Sequence, residues 1–185
     1  MPKQPPKNYT RAIPFPTTIE MTTIGIVRSP YKERHGTPRQ SQLQNPPPDY
    51  QPVLAEVHLF GEHIPSVALQ DLDGFERIWI VSWLHLNNHW NPTVRPPRGD
   101  NVRRGTLSTR APHRPNPIGL SCVRLHQITD LCLVVEGIDL LDQTPVIDIK
   151  PYVPYCDAFP NASAGYVDQL NASAAREKDI FGQRK

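Results

Sequence analysis

Short β-branched and aromatic runs alternate along this chain with polar, proline-rich stretches. Thr22-Thr23-Ile24-Gly25-Ile26-Val27 predicts a first strand. Tyr31 to Tyr50 is polar and predicts a long loop, a length usually reserved for functional or disordered segments. Val53, Ala55, Val57 and Leu59 occupy alternate positions, but Leu54 and Phe60 are apolar too, so the pattern predicts a strand buried on both faces. Ile64 to Leu72 predicts a short helix, with Pro65 confined to its first turn. Glu76 to Leu84, ERIWIVSWL, is the clearest strand. Asn87 to Arg104 predicts a loop, and Leu107 the start of another short strand. Leu120–Ile128 and Leu131–Ile138 predict a hairpin turning at Thr129-Asp130, and Pro145 to Ile149 a last strand.

About seven strands with few helices point to a mainly β chain, a β-barrel or strongly curved sheet. Strands do not alternate with helices of helical period, which argues against a doubly wound α/β fold. There is no internal repeat. The pattern divides the chain into a flexible leader at 1–20, a barrel domain at 21–160 and a tail at 161–185. Beyond Asp157 the tail turns Ala/Asn/Ser-rich and then charged, as mobile or partner-dependent segments do.

A length of 185 residues fits one domain plus tails. No run of about 18 apolar residues occurs, so no membrane span is expected. Met1 to Asn8 is polar and proline-rich, unlike a signal peptide, and a cytoplasmic location is expected. Cys122, Cys132 and Cys156 are odd in number and lack CxxC spacing, which predicts small core residues and no disulfide framework or structural zinc. The 22 prolines cluster at 46–48, 96–97 and 112–117, and imply stiff loops between the strands. The net charge of +2 implies no partner, but its distribution does. Arg95, Arg98, Arg103, Arg104, Arg110 and Arg114 face one acid, Asp100, a local excess of five positive charges that suits a polyanion or a solvated loop.

No G-x-G-x-x-G, Walker loop or G-x-S-x-G elbow is present. His85 and His89 have H-x-x-x-H spacing but sit where a strand meets a loop, without the helix that would converge them on a metal, and no metal is predicted. Ser108 to Gly119 is more distinctive. Pro112, Pro115 and Pro117 fix φ at three positions and bias the residues before them to extended backbone. Such a loop loses little entropy on ordering around a ligand; it reads as a preformed site for a polar or anionic ligand, or as a rigid corner. Asp148 and Lys150, two apart on a strand, share one face and could be a catalytic pair or a plain ion pair.

Five segments together resemble one family: Ile24 to Lys32, Thr37 to Gln40, Leu72 to Trp79, Arg110 to Gly119 and Asp139 to Tyr152. Their R-P-N-P-I-G and D-x-x-D-x-T-P-V-x-D-I-K-P-Y strings are specific to the TrmO/TsaA-like family, formerly called YaeB. The resemblance runs in order from Ile24 to about Asp157, 134 of 185 residues. It implies a single-sheet β-barrel, a homodimer, and S-adenosyl-L-methionine-dependent methylation of N6 of threonylcarbamoyladenosine at tRNA position 37, beside the anticodon.

The resemblance also implies a site. Arg39, Gln40 and Ser41 match a first cofactor-binding loop; His85 and Leu86 a second; Arg110, Leu120 and Asp139, Leu140, Leu141 and Asp142 the remaining wall. Arg110 or Arg39 would hold the methionine carboxylate with two hydrogen bonds. Leu86 and Leu120 would sandwich the adenine, and backbone near Asp139 would fix its edge or the ribose. A carbamoylated N6 is a poor nucleophile while protonated, so a base is expected: Asp148, with Lys150 or Tyr152 orienting the carbamoyl or threonyl group. Arg95, Arg98, Arg103, Arg104 and Arg114 would meet tRNA phosphates. Longer bacterial members carry a further C-terminal domain that helps engage tRNA, and the chain is expected to lack it. Two other readings stay open: a same-fold enzyme using this cofactor on another substrate, and a non-catalytic RNA-binding barrel. A scaffold role is third.

Overall fold

The computed structural model describes residues 16–41, 51, 53–97 and 100–172. Its strands are β1 (Gly25–Arg28), β2 (Leu54–Leu59), β3 (Arg77–Trp83), β4 (Thr93–Val94), β5 (Arg104–Gly105), β6 (Ile118–Thr129), β7 (Cys132–Glu136) and β8 (Pro145–Pro151), followed by one helical turn, α1 (Pro154–Asp157). Six strands close a barrel in the order β1-β2-β7-β6-β3-β8, every neighbour antiparallel. β4 and β5 pair in a separate two-stranded ribbon. The expected mainly β barrel is therefore the observed architecture.

The period-2 pattern determines which side chains face in. On β3, Ile78, Ile80 and Ser82 are buried while Arg77, Trp79, Val81 and Trp83 alternate outward. β2 contributes Ala55, Val57 and Leu59, β7 contributes Leu133 and Val135, β6 Val123, β1 Val27 and β8 Val146. The connection after β7 adds Ile138 and Leu140 to the same core. These side chains are small and mostly branched, which suits the narrow interior of a six-stranded barrel.

Several local expectations are corrected. β2 is buried on one face only: Leu54 is 56% exposed, and Glu56 is exposed beside it. An apolar residue at a strand end carries no sign of which side it faces. Residues 64–72 form no regular helix; a 3-10 turn at Ser66–Leu69 follows Pro65, and a second at Leu72–Gly74 is set off by Asp71 at φ 65°. Leu107 lies in a 3-10 turn, Thr106–Ser108, and is 76% exposed. The Asn87–Arg104 loop contains β4 and the start of β5. The cysteines are not core: Cys122 and Cys132 sit half-buried on outward strand positions and Cys156 is exposed. The β6–β7 hairpin does turn at Thr129-Asp130, with Asp130 at φ 52°. The expected leader and tail lie partly outside the described residues; within the tail, 166–172 are helical.

Ile80 is fully buried at the centre of β3, between β6 and β8. Ile80→Ala should cost about 2–5 kcal/mol, the range for truncating a buried aliphatic side chain. Chemical denaturation monitored by tryptophan fluorescence measures it, and a loss below about 1 kcal/mol would mean the site collapses without a cavity.

Candidate active site

Two of the motif strings meet at one rim of the barrel, where β3 ends, β6 begins and the β7–β8 connection passes; the Leu72–Trp79 segment and Tyr152 lie toward the start of β3 instead. Leu84 N–H donates to the Pro117 carbonyl (2.7 Å), bringing the end of the proline-locked loop against the exit of β3. Gly119 pairs with Ser82 across the sheet. A Cβ at 119 would overlap Ser82 Oγ and crowd the Leu84 side chain, so this position has room only for glycine. Ser82 Oγ itself is buried without a hydrogen-bond partner among the described residues.

Upstream, the loop is stitched to itself. Thr106, 1% exposed, bonds the Asn91 carbonyl through Oγ1 and the Pro92 carbonyl through its N–H. Arg114 Nη1 donates to the carbonyls of Thr109 (2.7 Å) and Thr106 (3.2 Å). Thr109 Oγ1 donates to the Thr106 carbonyl and accepts from Ala111 N–H. These bonds flank Arg110 on both sides, leaving an exposed guanidinium on a fixed backbone.

Arg110 lies within electrostatic reach of Asp139. Burial pushes the Asp139 carboxyl above its ordinary value, against the opposing pull of the Ser121 hydroxyl, its own backbone N–H and the Arg110 charge. Ser121 Oγ donates to Asp139 Oδ1 at 2.5 Å. Ser121 points inward on β6, so its neighbour Leu120 points outward and is 55% exposed. Leu86 is 65% exposed on the turn after β3, next to exposed His85. The rim thus combines a cation, a half-buried carboxyl and two bare leucines.

The rest of the β7–β8 connection is structural. Leu140 is buried, and its carbonyl accepts Ser29 Oγ (2.9 Å). Asp142 accepts Ser29 N–H (3.1 Å) on Oδ1 and Lys32 Nζ (2.6 Å) on Oδ2. Buried Thr144 closes a turn on the Leu141 carbonyl. Ser29, Lys32 and Thr144 lie inside the family segments but, like Ser121, were given no role from the sequence. Arg39 and Gln40 are exposed and Ser41 half-buried on the loop whose near end Asp142 anchors.

Asp148 and Lys150 form an ion pair at 2.7 Å, with side chains 44% and 65% exposed. Asp148 is in register with Val81, and Val81 with Leu120. Two strand spacings put the Asp148 backbone about 10 Å from that of Leu120 on the same outer face. Tyr152 tilts against Trp79 (5.8 Å, 54°), whose indole N–H donates to Asp157 (3.1 Å). Of the basic residues, Arg103 bonds Thr93 through Nε (2.9 Å) and Nη2 (2.7 Å). Arg104 pairs with Asp100 (2.6 Å) and stacks over Tyr166 (4.6 Å). Arg95 is exposed, and Arg98 lies outside the described residues.

The chain is thus a closed six-stranded antiparallel β-barrel, an architecture built without a glycine-loop dinucleotide site. Residues 26–158 match the model of the tRNA-methyltransferase O N-terminal domain. The chain is 38% identical over 164 residues to the tRNA (adenine(37)-N6)-methyltransferase of Escherichia coli, covering 85% of this chain and 67% of that one. It is 40% identical over 140 residues to a probable S-adenosyl-L-methionine-binding protein of Methanothermobacter thermautotrophicus, covering 76% and 94%. A crystal structure of TrmO from Pseudomonas aeruginosa superposes with TM-score 0.65 at 36% identity, over 82% of this chain and 63% of that one. The chain spans about two thirds of the length of the E. coli and P. aeruginosa proteins. It belongs to the tRNA-methyltransferase O N-terminal domain family.

The Lys32 hydrogen bond, with smaller help from Ser29 N–H and the Lys32 and Arg28 charges, holds the Asp142 carboxyl below its ordinary value despite desolvation. A depressed folded-state pKa contributes stability that is present above the ordinary carboxylate value and fades as pH falls below it. Asp142→Asn should therefore lower Tm at neutral pH, and the gap to the wild type should close on acidification. A pH series of thermal melts tests this; a gap that stays constant into acid would assign the loss to shape and not to charge.

Proposed function

We propose that this chain methylates N6 of adenosine 37 in tRNA with S-adenosyl-L-methionine as methyl donor, and that the base it accepts carries the threonylcarbamoyl group. The observation that supports this reading is that the R-P-N-P-I-G and D-x-x-D strings meet at one rim, with the Arg110 charge in reach of Asp139 and Leu120 exposed next to Ser121. The donor set fits such a cofactor: it offers a fork for a carboxylate, apolar side chains for a purine, and backbone groups at 139–142 for polar edges. Arg110 or Arg39 holds the carboxylate, Leu86 and Leu120 flank the adenine, and Gln40, Ser41, His85 and the Asp139–Asp142 backbone complete the wall. The bound cofactor supplies an electrophilic methyl on a sulfonium; the chain's task is chiefly to position the acceptor.

The acceptor nitrogen is urea-like, and its proton must leave as the new C–N bond forms. Asp148 takes that proton. Its place on the same outer face as Leu120, two strands away, supports the role, and Lys150 at 2.7 Å orients its carboxylate. Tyr152 and Lys150 orient the carbamoyl or threonyl group. Arg95, Arg98, Arg103, Arg104 and Arg114 contribute positive potential for the tRNA backbone. The active form is a homodimer working on cytoplasmic tRNA.

The decisive experiment incubates the full chain and tritiated cofactor with threonylcarbamoylated or unmodified tRNA. Label is expected only in the former. Equal label in both would refute the modified base as acceptor, and label in neither would refute the activity. Asp148→Asn should abolish turnover while cofactor binding by calorimetry persists, whereas Asp139→Asn should weaken binding itself. Full turnover in Asp148→Asn would remove Asp148 as the base.

A further inference from the structure

The barrel wall opposite β3 carries a group of side chains that the rim does not use. On β2, Glu56 and His58 point outward, two residues apart on one face. On β7, Cys132 lies in register with His58. The neighbouring pair bonds through Leu59 N–H to the Leu131 carbonyl (2.8 Å), so His58 and Cys132 form the non-hydrogen-bonded kind of antiparallel pair, in which side chains stand closest. His58 Nε2 is 2.5 Å from Glu56 Oε2 and 3.7 Å from Cys132 Sγ. One donor atom from each residue falls within 4.8 Å of the others. The cluster opens into a surface hollow of about 500 Å³, lined also by Gln127, Thr129 and Asp130.

We propose that Glu56, His58 and Cys132 form a binding site for zinc(II) or a similar borderline divalent cation, with solvent in the fourth position. Tetrahedral geometry with Zn–N, Zn–O and Zn–S lengths of about 2.05, 2.1 and 2.3 Å requires N···S of about 3.6 Å and N···O of about 3.4 Å. The N···S separation of 3.7 Å already matches. The N···O contact of 2.5 Å is a hydrogen bond in the metal-free cluster and opens on binding by a side-chain rotation of exposed Glu56. Imidazole and thiolate are the ligands that select zinc over calcium or magnesium.

Cys132 must give up its thiol proton to serve as a ligand. On binding, the S–H bond breaks, the proton passes to solvent and the thiolate bonds the metal. The ion would tie β2 to β7 near the β6–β7 hairpin, at the end of β7 away from Asp139. It binds the folded state and so raises Tm.

The test loads the full chain with cobalt(II), and separately with zinc(II) against a chromophoric chelator. The wild type should bind one equivalent, show a thiolate-to-cobalt charge-transfer band and gain thermal stability. Cys132→Ser should lose that band, and His58→Ala should weaken zinc by more than about tenfold. Metal-free melts of each variant confirm that it is folded. No binding to the wild type, or one-equivalent binding in Cys132→Ser that matches the wild type, would overturn the proposal; the latter would place the ion elsewhere. Methyl transfer should be unchanged in both variants.

Discussion

Closure of the barrel depends on its shortest seam. β1 and β8 share only Gly25–Val146 and Ile26–Pro145 in register, whereas β3 is paired along its whole length with β6 and over Ile78–Ser82 with β8. A barrel with an open seam would expose strand edges, which invite wrong pairing. The chain completes the seam with the β7–β8 connection. Val27 N–H donates to the Thr144 carbonyl, Gln143 N–H to the Val27 carbonyl and Asp142 N–H to the Tyr31 carbonyl. Ser29 and Lys32 then bind Leu140 and Asp142 through their side chains. Asp142 thus acts as a clasp between the first strand and the last.

That clasp is continuous with the site. Asp139 stands three residues before Asp142 on the same connection, so the segment that closes the barrel also carries the half-buried carboxyl that feels the Arg110 charge. A desolvated carboxyl is costly to hold in place, and it is held from two sides: by Ser121 from β6 and by the rigid exit of the connection into β8. The D-x-x-D-x-T-P string therefore combines an acid bonded to Ser121, a structural acid, a buried turn threonine and a strand-starting proline. Four requirements spaced over seven residues leave few substitutions open, which is the physical reason such a string is diagnostic.

What the sequence made legible follows the same division. Alternation on β3 read directly, because Ile78, Ile80 and Ser82 face a barrel interior while Trp79, Val81 and Trp83 face outward. The fold class came through the motifs. Leu54 was misplaced because hydrophobicity does not encode which wall of a barrel a residue faces. Cys132, Glu56 and His58 were illegible as a group, since β2 and β7 meet only through the barrel order and the residues stand 74 positions apart. The cysteines looked like core by composition alone, yet outward strand positions beside partly covered surface give them half-burial instead.

The arginine-rich loop shows how a charge count and a charge surface differ. Arg103 and Arg114 spend donors on Thr93, Thr106 and Thr109, and Arg104 is engaged by Asp100 and the Tyr166 ring. Five N–H donors per guanidinium leave each of them able to hold a further oxygen, and an internal hydrogen bond to a neutral carbonyl does not reduce the charge. Only Arg104 is neutralised locally, by a carboxylate. The stitching therefore converts a flexible cationic loop into a shaped one. A polyanion that meets it finds fixed charges at fixed spacing, so less ordering entropy is lost on contact and the attraction from released counterions is retained. The same bonds fix the backbone on either side of Arg110, which joins the stiffness of the outer surface to the position of the guanidinium whose charge reaches Asp139.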